Sequence, residues 1–188
     1  MINSGGSETV AHDGLTAGTI ISGGTLEIFN SASVGSGPIM FAGTGGKLVP
    51  YGDAMPANVI SGLLPTDAID LAGVGFDTAG SASILSGNVL QVIENGTAYD
   101  LQLDPLQDFS KAVFQVLPGN VITLEQFRIV SSGQVDSGTT LSAGNLEYVY
   151  GTSISATVGG GVQASQARPG SSVAASRRST AGAPRLTW

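Results

Sequence analysis

Short runs of alternating apolar and polar residues, separated by glycine-rich turns, make up most of the chain. Within residues 22–48 a Gly-Gly pair precedes one such run at 26–29, and a second apolar run at 38–41 precedes another Gly-Gly pair. Alternation with a period of two is the pattern of a half-buried β-strand, and no segment shows a sustained helical period. The pattern predicts short strands joined by tight turns.

The glycine pairs recur at nearly regular intervals. Gly6 to Gly24 is 18 residues, Gly24 to Gly46 is 22, and Gly144 to Gly160 is 16. Units of about 20 residues with short strands and glycine turns are typical of a solenoid, in which stacked coils share one core. A glycine-rich linker is the alternative, and the recurring apolar runs argue against it. Strands are predicted at residues 8–11, 19–21, 26–29 and 39–41, with 146–149 repeating the pattern of 26–29.

Residues 50–128 break the period and predict a β-rich module. Prolines at 50, 56 and 65 punctuate its start, and strands are predicted at 58–60, 68–71, 113–117 and 121–124. Its clearest element is an antiparallel hairpin at residues 88–103 around Asn95-Gly96, because both turn residues tolerate the positive φ of a type I′ turn. Counting outwards pairs Val92 with Tyr99, Leu90 with Leu101, and Gln91 with Asp100 on the opposite face.

These patterns divide the chain into four regions. We predict solenoid coils at residues 4–49, the β-rich module at 50–128, further coils at 129–161 and a disordered basic tail at 162–188. The tail has four arginines and almost no bulky apolar residue, a composition that does not support a packed core. It is interpreted either as a flexible terminus or as the product of a reading-frame change.

The charge and composition of the chain limit the classes of function that it can have. The chain has 188 residues, of which 11% are charged, and no cysteine, so thiol chemistry and disulfides are excluded. Up to Gly161 there are fourteen acidic and three basic residues, and such an acidic body argues against nucleic acid or an anionic membrane as a partner. No apolar run is long enough for a membrane helix, and the start lacks a signal peptide, so we expect an internal piece of a longer protein.

The search for catalytic and binding motifs gives weak candidates only. His12 is a lone histidine beside an Asp-Gly turn, and no nucleophile elbow, dinucleotide fingerprint or phosphate loop occurs; GTGGK at residues 43–47 fails the required spacing. Residues 46–53 only loosely resemble a calcium-binding repeat, and the Asn95-Gly96-Thr97 glycosylation triplet is better explained by the turn.

Paired carboxylates could serve as acid and base in a glycosidase. The local candidates are Asp67 with Asp70 and Asp104 with Asp108, all in turn settings where aspartate is favoured for structural reasons. We therefore predict no catalytic, cofactor-binding or metal-binding residue.

Three units resemble the passenger repeats of AIDA-type autotransporter adhesins. They are SGGSETVAHDGLTAGTII, SGGTLEIFNSASVGSGPI and SSGQVDSGTTLSAGNLEYVYG, and the segment 58–104 is similar to modules interspersed among such repeats. The resemblance covers roughly residues 4–160. It implies a right-handed parallel β-helix, export to the bacterial surface, and adhesion or aggregation; some members are glycosylated on serine and threonine. The family's signal peptide and translocating barrel are not seen here, which favours a fragment or a truncated product.

The expected function is that of a non-catalytic, adhesin-like passenger segment of a bacterial surface or secreted protein. Its expected partners are glycans or proteins of host or bacterial cell surfaces, together with self-association, and it needs no cofactor. Two alternatives stay open: a fragment of a carbohydrate-active β-helix enzyme, and an inert spacer within a larger exoprotein. The enzyme would require clustered acids and aromatic residues along one groove, yet the chain has a single tryptophan, Trp188.

Overall fold

The protein consists of β-strands and turns, without a helix among the residues that the structure describes. A computed structural model describes residues 1–29, 34–142 and 145–165. The strands are β1 (Ile2–Asn3), β2 (Ser7–Val10), β3 (Ile20–Ser22), β4 (Thr25–Ile28), β5 (Ile39–Phe41), β6 (Lys47–Pro50), β7 (Ile60–Ser61), β8 (Ala68–Asp70), β9 (Ser81–Leu85), β10 (Val89–Glu94), β11 (Thr97–Gln102), β12 (Ala112–Leu117), β13 (Val121–Val130), β14 (Val135–Ser137), β15 (Thr140–Ser142), β16 (Asn145–Val149), β17 (Thr152–Ile154), β18 (Thr157–Gly159) and β19 (Val162–Ser165).

The chain divides into two compact units. Unit 1 is Met1–Glu125 and unit 2 is Gln126–Trp188. Both units contain parallel strands stacked as a β-solenoid, which confirms the predicted fold class.

In unit 1 two parallel sheets form the walls of the solenoid. One sheet has the order β1-β3-β5-β7, and β2, β4, β6 and β8 stack in the other. Ser7 pairs with Thr25, Thr25 with Lys47, and Lys47 with Ala68, which are offsets of 18, 22 and 21 residues. The first two offsets equal the predicted glycine spacing, because each Gly-Gly pair lies just before a strand of this sheet.

Apolar side chains form columns inside these coils. Leu26, Leu48 and Ile69 occupy successive paired positions and are at most 1% exposed. A second column runs through Ile2, Ile21 and Phe41. Stacking like side chains at one position buries them continuously, which a single coil could not achieve.

Polar side chains on the outer positions of the same strands form cross-strand pairs. Thr9 Oγ1 on β2 donates to Glu27 Oε2 on β4 at 2.7 Å. Lys47 Nζ on β6 lies 2.7 Å from Asp70 Oδ2 on β8. The outer face of unit 1 is thus held by cross-strand polar pairs, which each contribute about 0.2–1 kcal/mol.

Parallel stacking extends beyond both predicted limits of the first coils. β1 pairs with β3 from Ile2, and β7 and β8 pair in parallel with β5 and β6 inside the segment assigned to the module. Parallel pairing is thus not confined to residues 4–49 in this part of the chain. Pro50 does not interrupt the stack of coils, because it is itself a strand residue paired with Ile28.

The hairpin of the module is confirmed residue by residue. Val92 pairs with Tyr99, Leu90 with Leu101 and Gln91 with Asp100, and Gln91 Nε2 donates to Asp100 Oδ1 at 3.0 Å. β9 adds to the other side of β10 in antiparallel orientation, which makes a three-stranded sheet. β12 pairs with β13, whose first residues, Val121–Thr123, pair antiparallel with β8.

Unit 2 contains shorter coils. The second half of β13 pairs in parallel with β16 and β16 with β19, while β14 pairs with β17 and β15 with β18. Leu146 pairs with Val162, an offset of 16 residues that matches the predicted spacing. The first residues of the predicted tail, 162–165, form β19, and their backbone extends the sheet. Residues 166–188 lie outside the described residues.

We predict that Gly24→Ala lowers the free energy of unfolding by about 1–3 kcal/mol, the usual cost of forcing extra volume into a packed interior. A Cβ at residue 24 would lie 2.5 Å from both Asn3 O and Ile2 Cγ2. Urea unfolding followed by circular dichroism measures the change. Gly37→Ala is the matched control, since its Cβ would meet nothing nearer than 3.6 Å. Equal urea midpoints for the two variants would contradict a tightly packed coil interior.

Candidate functional site

His12 lies in a tight exposed turn after β2. The Gly14 N–H donates to Ala11 O at 2.8 Å, and Asp13 has a φ of 57°. The turn geometry explains the His-Asp-Gly sequence, as predicted.

Asp67 holds two coils of unit 1 together. Its Oδ1 accepts the Gly46 N–H at 2.8 Å and its Oδ2 accepts the Leu64 N–H at 2.9 Å, while the residue is only 3% exposed. Burial raises the pKa of Asp67 above 3.8, and hydrogen bonds from backbone N–H groups oppose that rise. Because both oxygens accept backbone N–H groups, this carboxyl clamps the Gly-Gly turn of the preceding coil.

The other three candidate carboxylates also have structural partners. Asp70 forms the ion pair with Lys47 described above, and Asp104 Oδ1 accepts the Leu106 N–H at 2.9 Å. Asp108 Oδ1 accepts the Ser110 N–H at 2.9 Å, and this hydrogen bond lowers the pKa of Asp108. Asp104 and Asp108 thus close short turns, as their sequence settings predict. Across the described ranges, no group of three or more His, Cys, Asp or Glu side chains is arranged to hold a metal ion.

Unit 2 contains a polar row around one buried carboxylate, which the sequence patterns did not predict. Arg128, Glu147 and Gln163 occupy paired positions on β13, β16 and β19. Glu147 is fully buried and its Oε2 accepts the Gln163 Nε2–H at 2.6 Å. The Arg128 guanidinium lies 3.9 Å from Glu147 Oε1 and forms an ion pair with Asp136, which is 6% exposed.

The side chains at the paired positions of this row are charged groups and an amide. In unit 1 a comparable column consists of Leu26, Leu48 and Ile69. One guanidinium serves two buried carboxylates, and Asp136 Oδ2 and Glu147 Oε1 have no hydrogen-bond partner. A cavity of about 280 Å³ adjoins Arg128 and Asp136. Since Arg128 is the one cation that contacts these carboxylates in the described residues, the packing of unit 2 depends on it.

The reversed facing of β16 produces an exposed apolar surface. In β4 the residues Leu26 and Ile28 point inwards, whereas in β16 the inward residues are Glu147 and Val149. Leu146 and Tyr148 of β16 therefore lie on the outer face of the sheet, whereas Val149 lies on the inner face. Residues 146–149 form a strand, as their similarity to 26–29 predicts. The positions that point inwards, however, are the opposite ones.

Register aligns these outer residues into two rows across three strands. The six residues, called here the unit-2 face, are Phe127, Leu146 and Val162 in one row and Ile129, Tyr148 and Ala164 in the other. Ile129, Tyr148 and Val162 are 50%, 41% and 56% exposed. Contiguous exposed apolar patches of this kind mark interaction surfaces more often than scattered single residues do.

A groove of about 630 Å³ lies in the module of unit 1. It is lined by residues 82–84 of β9, by residues 112–114 of β12 and by the loop at residues 105–110. Its lining is mixed, with polar residues such as Ser83 and Asp108 beside Phe109, whose ring lies 5.8 Å from that of Phe114. A mixed concave surface of this volume is within the range of ligand sites.

Comparison of the chain with protein-family models, with curated proteins and with solved structures finds no match in any of the three. In the described part of the chain there is no helix that could span a membrane.

We predict that the stability contributed by Asp67 falls as the pH rises. Its pKa in the folded protein is raised, so its contribution is full below pH 3.8 and is lost as the pH rises through the folded-state pKa. The difference in unfolding free energy between the wild type and Asp67→Asn should therefore shrink from acid towards neutral pH. Urea unfolding of both proteins across that range tests the sign, and a difference that grows with pH would contradict it.

We predict that Arg128→Met destabilises unit 2 by about 2 kcal/mol, because it leaves two buried carboxylates without a cation. The value lies below the cost for a fully buried pair because the arginine side chain is 52% exposed. Faster hydrogen exchange of the β16 amides reports the effect locally. Adding Asp136→Asn and Glu147→Gln to Arg128→Met should restore most of the protection. Unchanged exchange in the single variant would show that the arginine is not needed.

Proposed function

We propose that the chain is a non-catalytic, adhesin-like segment of a bacterial surface or secreted protein, which acts by presenting rigid solenoid faces for cell adhesion or aggregation. The observation that carries the proposal is the unit-2 face. Backbone pairing fixes the positions of its six residues, so the strands that carry them need little ordering on contact.

Repetition supports a mechanism based on many weak contacts. Successive coils place equivalent outer positions about 4.8 Å apart, so a partner with several binding groups can engage several coils together. Linked weak contacts raise the overall avidity by orders of magnitude without a single strong site. The expected partners are proteins or glycans of cell surfaces, and other copies of the chain.

A non-catalytic role is supported by how the candidate acids are used. Asp67 and Asp104 accept backbone N–H groups, and Asp70 pairs with Lys47. A glycosidase requires two carboxyl groups held across a substrate groove, one of them free to donate a proton. A carbohydrate-active enzyme would therefore have to use as catalytic groups acids that already stabilise turns and strands.

We predict that the double variant Ile129→Asp/Tyr148→Asp reduces aggregation of cells displaying the chain by at least about tenfold. The two carboxylates introduce charge at the centre of the unit-2 face, where apolar contacts would be made. Settling of displaying cells and their attachment to host cells are the measurements. Polysaccharide cleavage is assayed in parallel, and robust cleavage abolished by Asp67→Asn or Asp104→Asn would replace the proposal with the enzyme.

Leu106→Asp is the matched control for surface charge. Leu106 is 93% exposed in unit 1 and lies outside the unit-2 face. This variant should aggregate and attach like the wild type. If it reduces aggregation as much as the double variant does, general charge repulsion is the cause and the role of the face is refuted.

A further inference from the structure

Glu94 places a carboxylate on the inner side of the three-stranded sheet in unit 1. It is the last residue of β10, whose buried positions are Leu90, Val92 and Glu94. Leu90 and Val92 are fully buried in the apolar core, and Glu94 is only 1% exposed. A charged side chain therefore occupies a position that this strand otherwise fills with apolar residues.

The described residues compensate this carboxylate only in part. Its Oε2 accepts the Asp77 N–H at 2.7 Å, whereas its Oε1 is buried and has no hydrogen-bond partner among them. No lysine or arginine in the described part of the chain forms an ion pair with Glu94. Because a charge that is buried without a counter-charge is strongly unfavourable, an orphaned oxygen of this kind indicates a missing ligand, such as an ion.

A loop with three glycines, residues 73–80, packs against the carboxylate. A Cβ at residue 80 would lie 2.2 Å from Glu94 Oε1 and 2.8 Å from Oε2, so only glycine lets the loop backbone come this close. The loop turns at Asp77, whose carbonyl oxygen accepts the Gly80 N–H at 2.9 Å. Both Asp77 and Gly80 therefore lie directly beside Glu94.

Asp77 brings a second negative charge to the same place. Its Oδ1 accepts the Ala79 N–H at 2.9 Å, which leaves its Oδ2 for another partner. Its own N–H donates to Glu94, so the two acidic residues form one cluster. Unit 1 as a whole has twelve acidic residues and two lysines, a net charge of −10, which raises the local concentration of cations.

We propose that Glu94 and Asp77 bind a calcium ion, which compensates the buried charge and holds the loop at residues 73–80 against the hairpin. Carbonyl oxygens of the loop and water would complete a shell of about six to eight oxygen ligands. Two carboxylates make a weak site, so we expect a dissociation constant of about 10⁻⁴–10⁻³ M, the range of extracellular modules. This inference does not rest on the unit-2 face, which belongs to the other unit.

The donor atoms select a hard cation. Both side chains offer oxygen only, the chain has no cysteine, and its single histidine is His12 after β2. Zinc and copper prefer nitrogen or sulfur ligands. Magnesium requires a near-ideal octahedron, whereas calcium accepts the irregular arrangement that a loop and a strand end provide. The sequence patterns predict no metal-binding residue here, because Glu94 belongs to a strand and Asp77 to a turn without a calcium-binding motif.

Hydrogen exchange measured by NMR on the full chain, freed of metal with EDTA, tests the site. Calcium at about 10 mM should slow exchange of the Asp77 amide about tenfold for a dissociation constant of about 1 mM, because it binds only the closed loop. Sodium chloride of equal ionic strength should have no such effect, and magnesium a smaller one. Absence of slowing by calcium, or equal slowing by either other salt, overturns the proposal.

Glu94→Gln is the direct test of the ligand. The amide keeps the shape of the side chain and an oxygen for the Asp77 N–H but removes the charge, so calcium should no longer slow exchange at Asp77. Asp100→Asn is the matched control, because Asp100 lies on β11 of the same hairpin, where it is exposed and accepts a hydrogen bond from Gln91. This control should respond to calcium like the wild type. A calcium response that Glu94→Gln keeps, or that Asp100→Asn loses, overturns the proposal.

Urea unfolding without metal shows whether the buried charge is uncompensated. Under these conditions Glu94→Gln should have a urea midpoint at least as high as that of the wild type, because it removes a buried charge that has no cation. Calcium should raise the midpoint of the wild type and leave that of Glu94→Gln unchanged. A metal-free midpoint of Glu94→Gln well below that of the wild type would show that the protein itself compensates the carboxylate, and it would overturn the proposal.

Discussion

Backbone pairing between successive coils is the constraint on which this structure depends. Once Ser7 pairs with Thr25 and Thr25 with Lys47, every inward position of one coil lies on the inward position of the next. The side chain at such a position must therefore be compatible with its neighbours above and below. Unit 1 satisfies this with leucine and isoleucine columns, whose burial contributes about 25 cal/mol per Å² of apolar surface. Glycine supplies the sharp returns: Gly23 and Gly45 have φ values of 79° and 76° at equivalent places in successive coils.

The same constraint has a different outcome in unit 2. There one inward row contains Arg128, Glu147 and Gln163, of which Glu147 is buried, and hydrogen bonds and one ion-paired guanidinium hold this row together. Ion pairs with a buried carboxylate add little net stability because desolvation offsets their attraction, but removing one partner is costly. Six apolar residues of these strands lie on the outer surface and form the unit-2 face, while Val130 and Val149 are buried. The buried Glu147 and the exposed apolar rows thus both follow from which residues of these strands point inwards.

Much of the architecture could be predicted from the sequence because it follows from local rules. Glycine spacing gave the coil offsets, and the Asn95-Gly96 turn fixed the pairing of Val92 with Tyr99. Facing was harder, since Leu-Glu-Tyr-Val and Leu-Glu-Ile-Phe look alike while opposite residues point inwards. The alternation of Glu147 with Val149 is compatible with an inward-pointing Glu147. It indicates this facing only once Arg128 is known to pair with Glu147 on the neighbouring strand. The groove between β9 and β12 could not be predicted, because it depends on how β12 lies beside a sheet distant in sequence.

The register of unit 2 is the claim on which the face depends, and cysteine cross-linking tests it directly because the chain has no cysteine of its own. Parallel neighbours lie about 4.8 Å apart, within the range that a disulfide spans, whereas a position two residues further along lies roughly 8 Å away. The pair Phe127→Cys/Leu146→Cys should therefore cross-link readily on mild oxidation, and Phe127→Cys/Tyr148→Cys should not. Efficient cross-linking of the second pair with little of the first would contradict the register, and with it the rows that make up the unit-2 face.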